Sequence, residues 1–290
     1  MRLRLPELPV AAVHHLAHAG VIATTWRGME ASGALETSLY QVYRLAIGEL
    51  SCLAVGDTLA NSTPNRGRCC LLVRGESRAT LVDAGGGSLA HPPGHLLGAL
   101  RVAGVDPDEV DTVVLTHAHP GHAGGVALPS GEPAFPQARV LLARAEWEFW
   151  IAEPDLRSRG LQHLVAPARQ RLLALERKIE LLGHGDVVTP GVRALAAPGH
   201  TPGHLAVSIT SGDQQLLALG DVLPSAACAR HPRRPMPGDL LPEQALATRL
   251  RLLDFAEAEG ILTHAFHLPF PALGYARPEG EAWRWEALTT

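Results

Sequence analysis

Apolar residues run along this chain in short blocks whose period switches between two and about 3.6 residues. Tyr40-Gln-Val-Tyr-Arg-Leu-Ala-Ile alternates, and Leu50-Ser-Cys-Leu-Ala-Val follows it, so both predict strands. Cys69-Cys-Leu-Leu-Val-Arg and Ala79-Thr-Leu-Val-Asp are apolar almost throughout, as strands buried on two faces are. Gly75-Glu-Ser between them predicts a hairpin turn. Residues 93–104 have helical spacing and a closing glycine. Asp111-Thr-Val-Val-Leu-Thr116 reads as a buried strand, Ala138-Arg-Val-Leu-Leu-Ala as another, and Arg144–Ile151 as a helix behind it. Residues 154–176 predict loosely attached helix. The second half repeats the grammar. Lys178-Ile-Glu-Leu-Leu, Val192-Arg-Ala-Leu-Ala, His204-Leu-Ala-Val-Ser-Ile and Gln215-Leu-Leu-Ala-Leu-Gly predict strands, residues 243–259 a helix closed by Gly260, and Ile261-Leu-Thr-His a final short strand. Residues 1–40 keep no period and read as an N-terminal arm, expected to cover the site mouth or mediate dimerisation. No low-complexity linker divides the rest, so residues 41–290 are expected to form one α/β domain, with sheets packed together and helices outside.

Composition narrows the function classes. A chain of 290 residues with 46% hydrophobic residues can bury a sizeable core. Lys and Arg number 25 against 29 Asp and Glu, a net charge of −4, so there is no basic excess to coat a phosphate backbone and a nucleic-acid partner is not expected. No apolar run approaches the roughly 18 residues of a spanning helix, so no membrane partner is expected either. Pro6, Glu7 and the histidines at 14, 15 and 18 interrupt any signal-peptide core. Cys52, Cys69, Cys70 and Cys228 form no CxxC pair. These features predict a soluble, cytoplasmic protein with reduced thiols that acts on a small molecule. The chain has 15 histidines against five Phe, five Trp and three Tyr, and that excess asks for a chemical reason.

The densest histidine cluster is His117-Ala-His119-Pro-Gly-His122, directly after the strand ending at Thr116. Imidazoles two apart on a chain leaving a strand can converge on one ion, and the third can turn toward the same or a neighbouring one. Ligand sites of αβ units gather at these carboxyl ends. Ala197-Pro-Gly-His200-Thr-Pro-Gly-His204, Leu219-Gly-Asp221 and Phe266-His267-Leu-Pro-Phe-Pro also end predicted strands. Taken singly, His200 could be a turn residue and Asp221 a helix N-cap. Together they supply imidazoles and a carboxylate able to bridge two cations. Trp147, Trp150, Trp283 and Trp285 read as core or pocket lining, and Arg230, Arg233 and Arg234 as a solvated loop.

Val82-Asp-Ala-Gly, Val113-Val-Leu-Thr-His-Ala-His-Pro-Gly-His-Ala-Gly-Gly, Pro198-Gly-His-Thr-Pro-Gly-His, Gly220-Asp221 and His267-Leu-Pro-Phe-Pro-Ala-Leu-Gly resemble the metallo-β-lactamase superfamily over residues 41–290. The closing His-x-Pro-Phe-Pro resembles the branch of methyl parathion hydrolase and related lactonases. The resemblance implies an αββα sandwich of two mixed β-sheets with helices outside. It implies one or two divalent metal ions, zinc first with manganese or iron as alternatives. His117, His119 and His200 would hold one ion, His122 and His267 the second, and Asp221 would bridge both. His264 competes with His267, but only His267 precedes the Pro-Phe-Pro. Asp83 would support a ligand imidazole or loop amide, and His204 would pack the loop.

The implied activity is a metal-dependent hydrolase in which a metal-activated water attacks an ester, lactone or phosphotriester, with Asp221 and His122 at the catalytic centre. The family motif is HxHxDH, and Gly121 stands where its aspartate would be, so the second metal site is expected to be weakened. Two alternatives follow. One is a mononuclear iron oxygenase or dioxygenase on the same fold, using His117, His200 and Asp221. The other is a catalytically impaired binding protein. A homodimer is a further expectation.

Overall fold

The computed structural model describes residues 39–60, 67–234, 236, 238–280 and 282–288. The expected arm, up to residue 38, lies outside the described residues. Two seven-stranded sheets form the centre. The first runs in chain order through β1 (Val42–Ile47), β2 (Leu50–Gly56), β3 (Cys69–Arg74), β4 (Ala79–Val82), β5 (Thr112–Val114), β6 (Arg139–Ala143) and β7 (Ile179–Leu182). Its first four strands pair antiparallel and β4 to β7 pair parallel. The second sheet is ordered β14 (Ala282–Ala287), β13 (Leu273–Glu279), β12 (Leu262–His264), β11 (Gln214–Ala218), β10 (Leu205–Ser211), β9 (Val192–Ala196) and β8 (Val187–Thr189). Within it only β11 and β12 pair parallel.

The continuous apolar strands are buried on both faces, and their alternation assigns each side chain to a layer. Cys69, Leu71 and Val73 of β3 point into the core between the sheets, where they meet Val207 and Ile209 of β10. Cys70 and Leu72 point the other way, into a core shared with Leu96, Leu100, Trp150 and Leu172. Those four belong to α1 (Leu96–Val102), α3 (Arg144–Ile151) and α4 (Val165–Ala174), which cover the first sheet. On the second sheet lie the short α5 (Ala226–Arg230), against β14, and α6 (Pro242–Ala258), through Leu252, Leu253 and Ala256. The expected four-layer order of helix, sheet, sheet and helix is the one observed.

Two expectations need correction. The strand at 261–264 is not the last, because β13 and β14 follow it. Leu273-Gly-Tyr-Ala-Arg-Pro-Glu, despite its Gly and Pro, forms a ladder with β14 from Gly274 to Glu279. β8 is three residues long, too short to leave a periodic signal. Residues 154–176 are not loosely attached, since Leu156, Val165, Leu172 and Leu175 are buried in the helix-side core. No described helix is long and apolar enough to cross a membrane, and all four cysteines are free and buried.

Candidate metal centre

Parallel strands leave a sheet by the same edge, and this places the polar loops. β4 ends at Val82 and its neighbour β5 at Val114, so Asp83 and Thr116 emerge side by side. β11 and β12 are the parallel pair of the other sheet, and they deliver Asp221 and His267 to the same region. The turn between β9 and β10 brings His200, and the short α2 (Pro120–Ala123) carries His122. His117 Nε2 lies 3.0 Å from His119 Nδ1, which lies 3.1 Å from His200 Nε2. His122 Nε2 lies 3.3 Å from His267 Nε2. Asp221 stands between the two sets, with Oδ2 3.2 Å from His200 Nε2 and Oδ1 3.2 Å from His122 Nε2 and 3.6 Å from His267 Nε2. Two sets of three, His117 with His119 and His200 and His117 with His122 and Asp221, have ligand atoms within 4.8 Å of one another.

The outer nitrogens are fixed from behind. His122 Nδ1 bonds Asp83 Oδ2 at 2.8 Å, and His117 Nδ1 bonds Thr116 Oγ1, which itself donates to the Asp83 carboxylate at 3.0 Å. Asp83 also accepts the Thr116 N–H at 2.8 Å. It does so from a left-handed backbone, φ +60°, a conformation that costs a non-glycine residue about 1–3 kcal/mol and persists only where surrounding contacts enforce it. His200 Nδ1 bonds Asp239 Oδ1 at 3.0 Å, and His267 Nδ1 donates to the Gly67 carbonyl at 2.9 Å. With these tautomers held, the Nε2 lone pairs of neutral His122 and His267 face one another at 3.3 Å with no hydrogen between them, and His119 Nδ1, with at most one hydrogen, faces both His117 Nε2 and His200 Nε2 at 3.0–3.1 Å. Asp221 Oδ1 and His119 Nε2 are buried without a hydrogen-bond partner. Cations inside the ring of donors would resolve the contacts among the inward-facing atoms, and imidazole and carboxylate are the donor types that suit zinc, manganese and iron. The residues fit divalent metal ions.

Electrostatics agree with that fit. Burial and the neighbouring imidazoles hold His117 and His119 well below the usual histidine range, so they stay neutral lone-pair donors. Burial opposes a charge on His122 and His200 too, but the Asp221 carboxylate beside both, with Asp83 and Asp239 behind, pushes them up to about 10 and about 9. Burial would raise Asp221, yet His267, His122 and His200 hold it well below the carboxylate range. Its charge persists across the neutral region.

His204 lies outside the donor ring: its Nε2 accepts the Asp221 N–H at 3.0 Å, as suits the loop-packing role expected of it. Gly220, at φ +53°, permits this approach, because a Cβ there would lie 2.7 Å from that nitrogen. His264 stays apart from the donor ring, buried in β12, where burial lowers it to about 4. Arg230, Arg233 and Arg234 are exposed, as read for a solvated loop.

Two acidic residues of this centre, Asp239 and Glu146, carry no motif in the sequence. Asp239 sits in a loop without a motif, and Arg249, buried in α6, donates to its second oxygen at 3.1 Å. Glu146 lies four residues before Trp150 in α3. An acid one turn from a tryptophan on the same buried face was the available signal. Trp150 itself is fully buried, its ring edge-on to His119 with centroids 5.6 Å apart.

A sequence model of the metallo-beta-lactamase superfamily matches residues 63–260, and the chain belongs to that superfamily. An N-acyl homoserine lactonase from Bacillus cereus is 31% identical over 120 residues, 41% of each chain. The chain thus spans about two fifths of the length of the curated relatives it matches. Among solved structures, AidC, a dizinc quorum-quenching lactonase in complex with a product, superposes with a TM-score of 0.79 at 24% identity over 87% of this chain and 99% of its own. AbOPH, a hydrolase in the beta lactamase superfamily, does so with 0.77 at 24% identity over 87% and 98%. These two are likenesses of fold.

Proposed function

We propose that this member of the metallo-β-lactamase superfamily is a metal-dependent hydrolase that opens an ester-type bond, with a lactone as the leading substrate class. The observation that carries the reading is a cluster of five imidazoles about one ionised carboxylate, Asp221, with His122, His200 and His267 within 3.6 Å of its two oxygens and His117 and His119 packed against His200. His117, His119 and His200 would hold a first cation, His122 and His267 a second, and Asp221 both. Divalent ions held there supply Lewis acidity, which lowers the pKa of water and polarises a carbonyl oxygen. Similarity to N-acyl homoserine lactonases supports the lactone as substrate.

The chain's own residues account for the remaining requirements. His119 and His267 are the partly exposed members of the cluster, so substrate approaches from their side. Asp221, ionised and with Oδ1 lacking a hydrogen-bond partner, can orient the attacking water. As the acyl–oxygen bond breaks, the leaving oxygen takes up the proton that the water gives up. Asp83 and Asp239 keep His122 and His200 in one tautomer throughout.

Gly121 places only backbone where the superfamily motif has an acid, and this leaves the second cation two imidazoles and a shared carboxylate from the chain. We therefore assign the first subsite the tighter binding. The test is elemental analysis of protein purified without added metal, paired with assays on lactones, aryl esters and phosphotriesters. Zinc or manganese with lactone hydrolysis supports the reading. A single iron would replace it with oxygen chemistry, and a chain that retains no metal would overturn it.

A further inference from the structure

Glu146 has no solvent exposure, and its carboxylate accepts four hydrogen bonds. Oε1 takes the Ala118 N–H at 2.9 Å and the Trp150 Nε1–H at 2.6 Å. Oε2 takes the Thr201 hydroxyl at 2.6 Å and the Gly203 N–H at 3.1 Å. The loop donors, two backbone N–H groups and one hydroxyl, sit at telling places. Ala118 lies between His117 and His119, and Thr201 and Gly203 lie between His200 and His204. One loop hangs from the first sheet and the other from the second, so a single carboxylate on α3 ties together the two segments that carry the first cation subsite. We propose that Glu146 is the positioning residue that sets the spacing of His117, His119 and His200; the inference rests on the metal-dependent reading above.

Three features support it. Burial raises the Glu146 pKa, and the four donors work against that rise, so the acid is held by the loops as much as it holds them. The second loop approaches so closely that a Cβ on Gly203 would lie 2.1 Å from the Glu146 nitrogen and 2.6 Å from its Cβ. Trp150, bonded to the same oxygen as Ala118, sets its ring against His119, whose Nδ1 faces both His117 and His200. Glutamine cannot take over the role. Its amide NH2 would face N–H or O–H donors at one of the two oxygen positions.

The test measures cobalt(II) binding by chelator competition, and the visible spectrum of the cobalt-loaded protein, for the wild type, Glu146→Gln, Thr201→Val and Leu100→Ala. Leu100→Ala opens the remote core under α1 and serves as a control for lost stability alone. The expected result is binding weakened about 10- to 100-fold in Glu146→Gln with an altered spectrum. A smaller change of the same kind is expected in Thr201→Val, and Leu100→Ala should lower only the Tm. Should Glu146→Gln fail to fold, Thr201→Val decides by the same criteria. Wild-type affinity and spectrum in the folded variants at 146 and 201 would overturn the inference, as would an equal loss in Leu100→Ala. A wild type that binds no cobalt would instead overturn the metal-dependent reading.

Discussion

Asp239 Oδ1 meets His200 Nδ1 at 3.0 Å, and its other oxygen meets the buried guanidinium of Arg249 at 3.1 Å. The acid is 1% exposed and its second oxygen is paired from behind, so it holds the imidazole in one orientation. Arg249 also donates to the carbonyl of Val222, next to Asp221. One guanidinium thereby steadies both His200, through Asp239, and the segment that carries Asp221. Asp239→Asn should weaken cation binding by about 10- to 100-fold while the chain stays folded. Chelator competition alongside circular dichroism checks it.

His117→Ala and His200→Ala should each abolish retention of the first cation, since each removes one of three imidazoles that meet at 3.0–3.1 Å. Metal content per chain after gel filtration is the measurement. Undiminished metal in both would sink the assignment of the first subsite.

Gly121→Asp should fold without strain. A Cβ built there meets only the Arg68 Cδ, at 3.9 Å. Arg68 is itself engaged with Asp57 at 2.7 Å and leaves the position free. An added carboxylate brings charge to the second subsite, so that ion should bind tighter by on the order of tenfold or more. Titration of the chelated protein, with both stoichiometric steps resolved, would reveal the change, and an unaltered second step would show that Gly121 is not limiting.

The raised histidines give a pH signature. In the metal-free protein His122, at about 10, and His200, at about 9, carry protons at neutral pH, and a cation must displace them. Calorimetry in buffers of different ionisation enthalpy should therefore report close to two protons released per chain at pH 7.5, fading above about pH 10. Stability of the metal-free chain should move in the opposite sense to affinity. These raised values stabilise the fold fully below the unfolded pKa near 6.5, and the contribution is lost as pH rises through about 9 to 10. Thermal melts of chelated protein at pH 6.5 and 10 test it.

The alternation and apolar runs of the chain determined the two-sided burial of β3 and β4 and the alternation of strands with helices, because period-two patterning assigns each side chain to a face wherever it is packed. The histidine motifs placed six site residues at strand ends, since ligand loops follow the carboxyl edges of strands. What the sequence could not show was support arriving from far along the chain. Glu146 is 28 residues from Ala118 and 55 from Thr201, and Asp239 is 39 from His200. None has a fixed offset from its partner, so no spacing encodes it. β13, interrupted by Gly274 and Pro278, becomes a strand only because β12 and β14 offer it hydrogen-bond partners on either side. Local pattern sets which faces are buried, but only the closed packing of two sheets decides which carboxylate stands behind which imidazole.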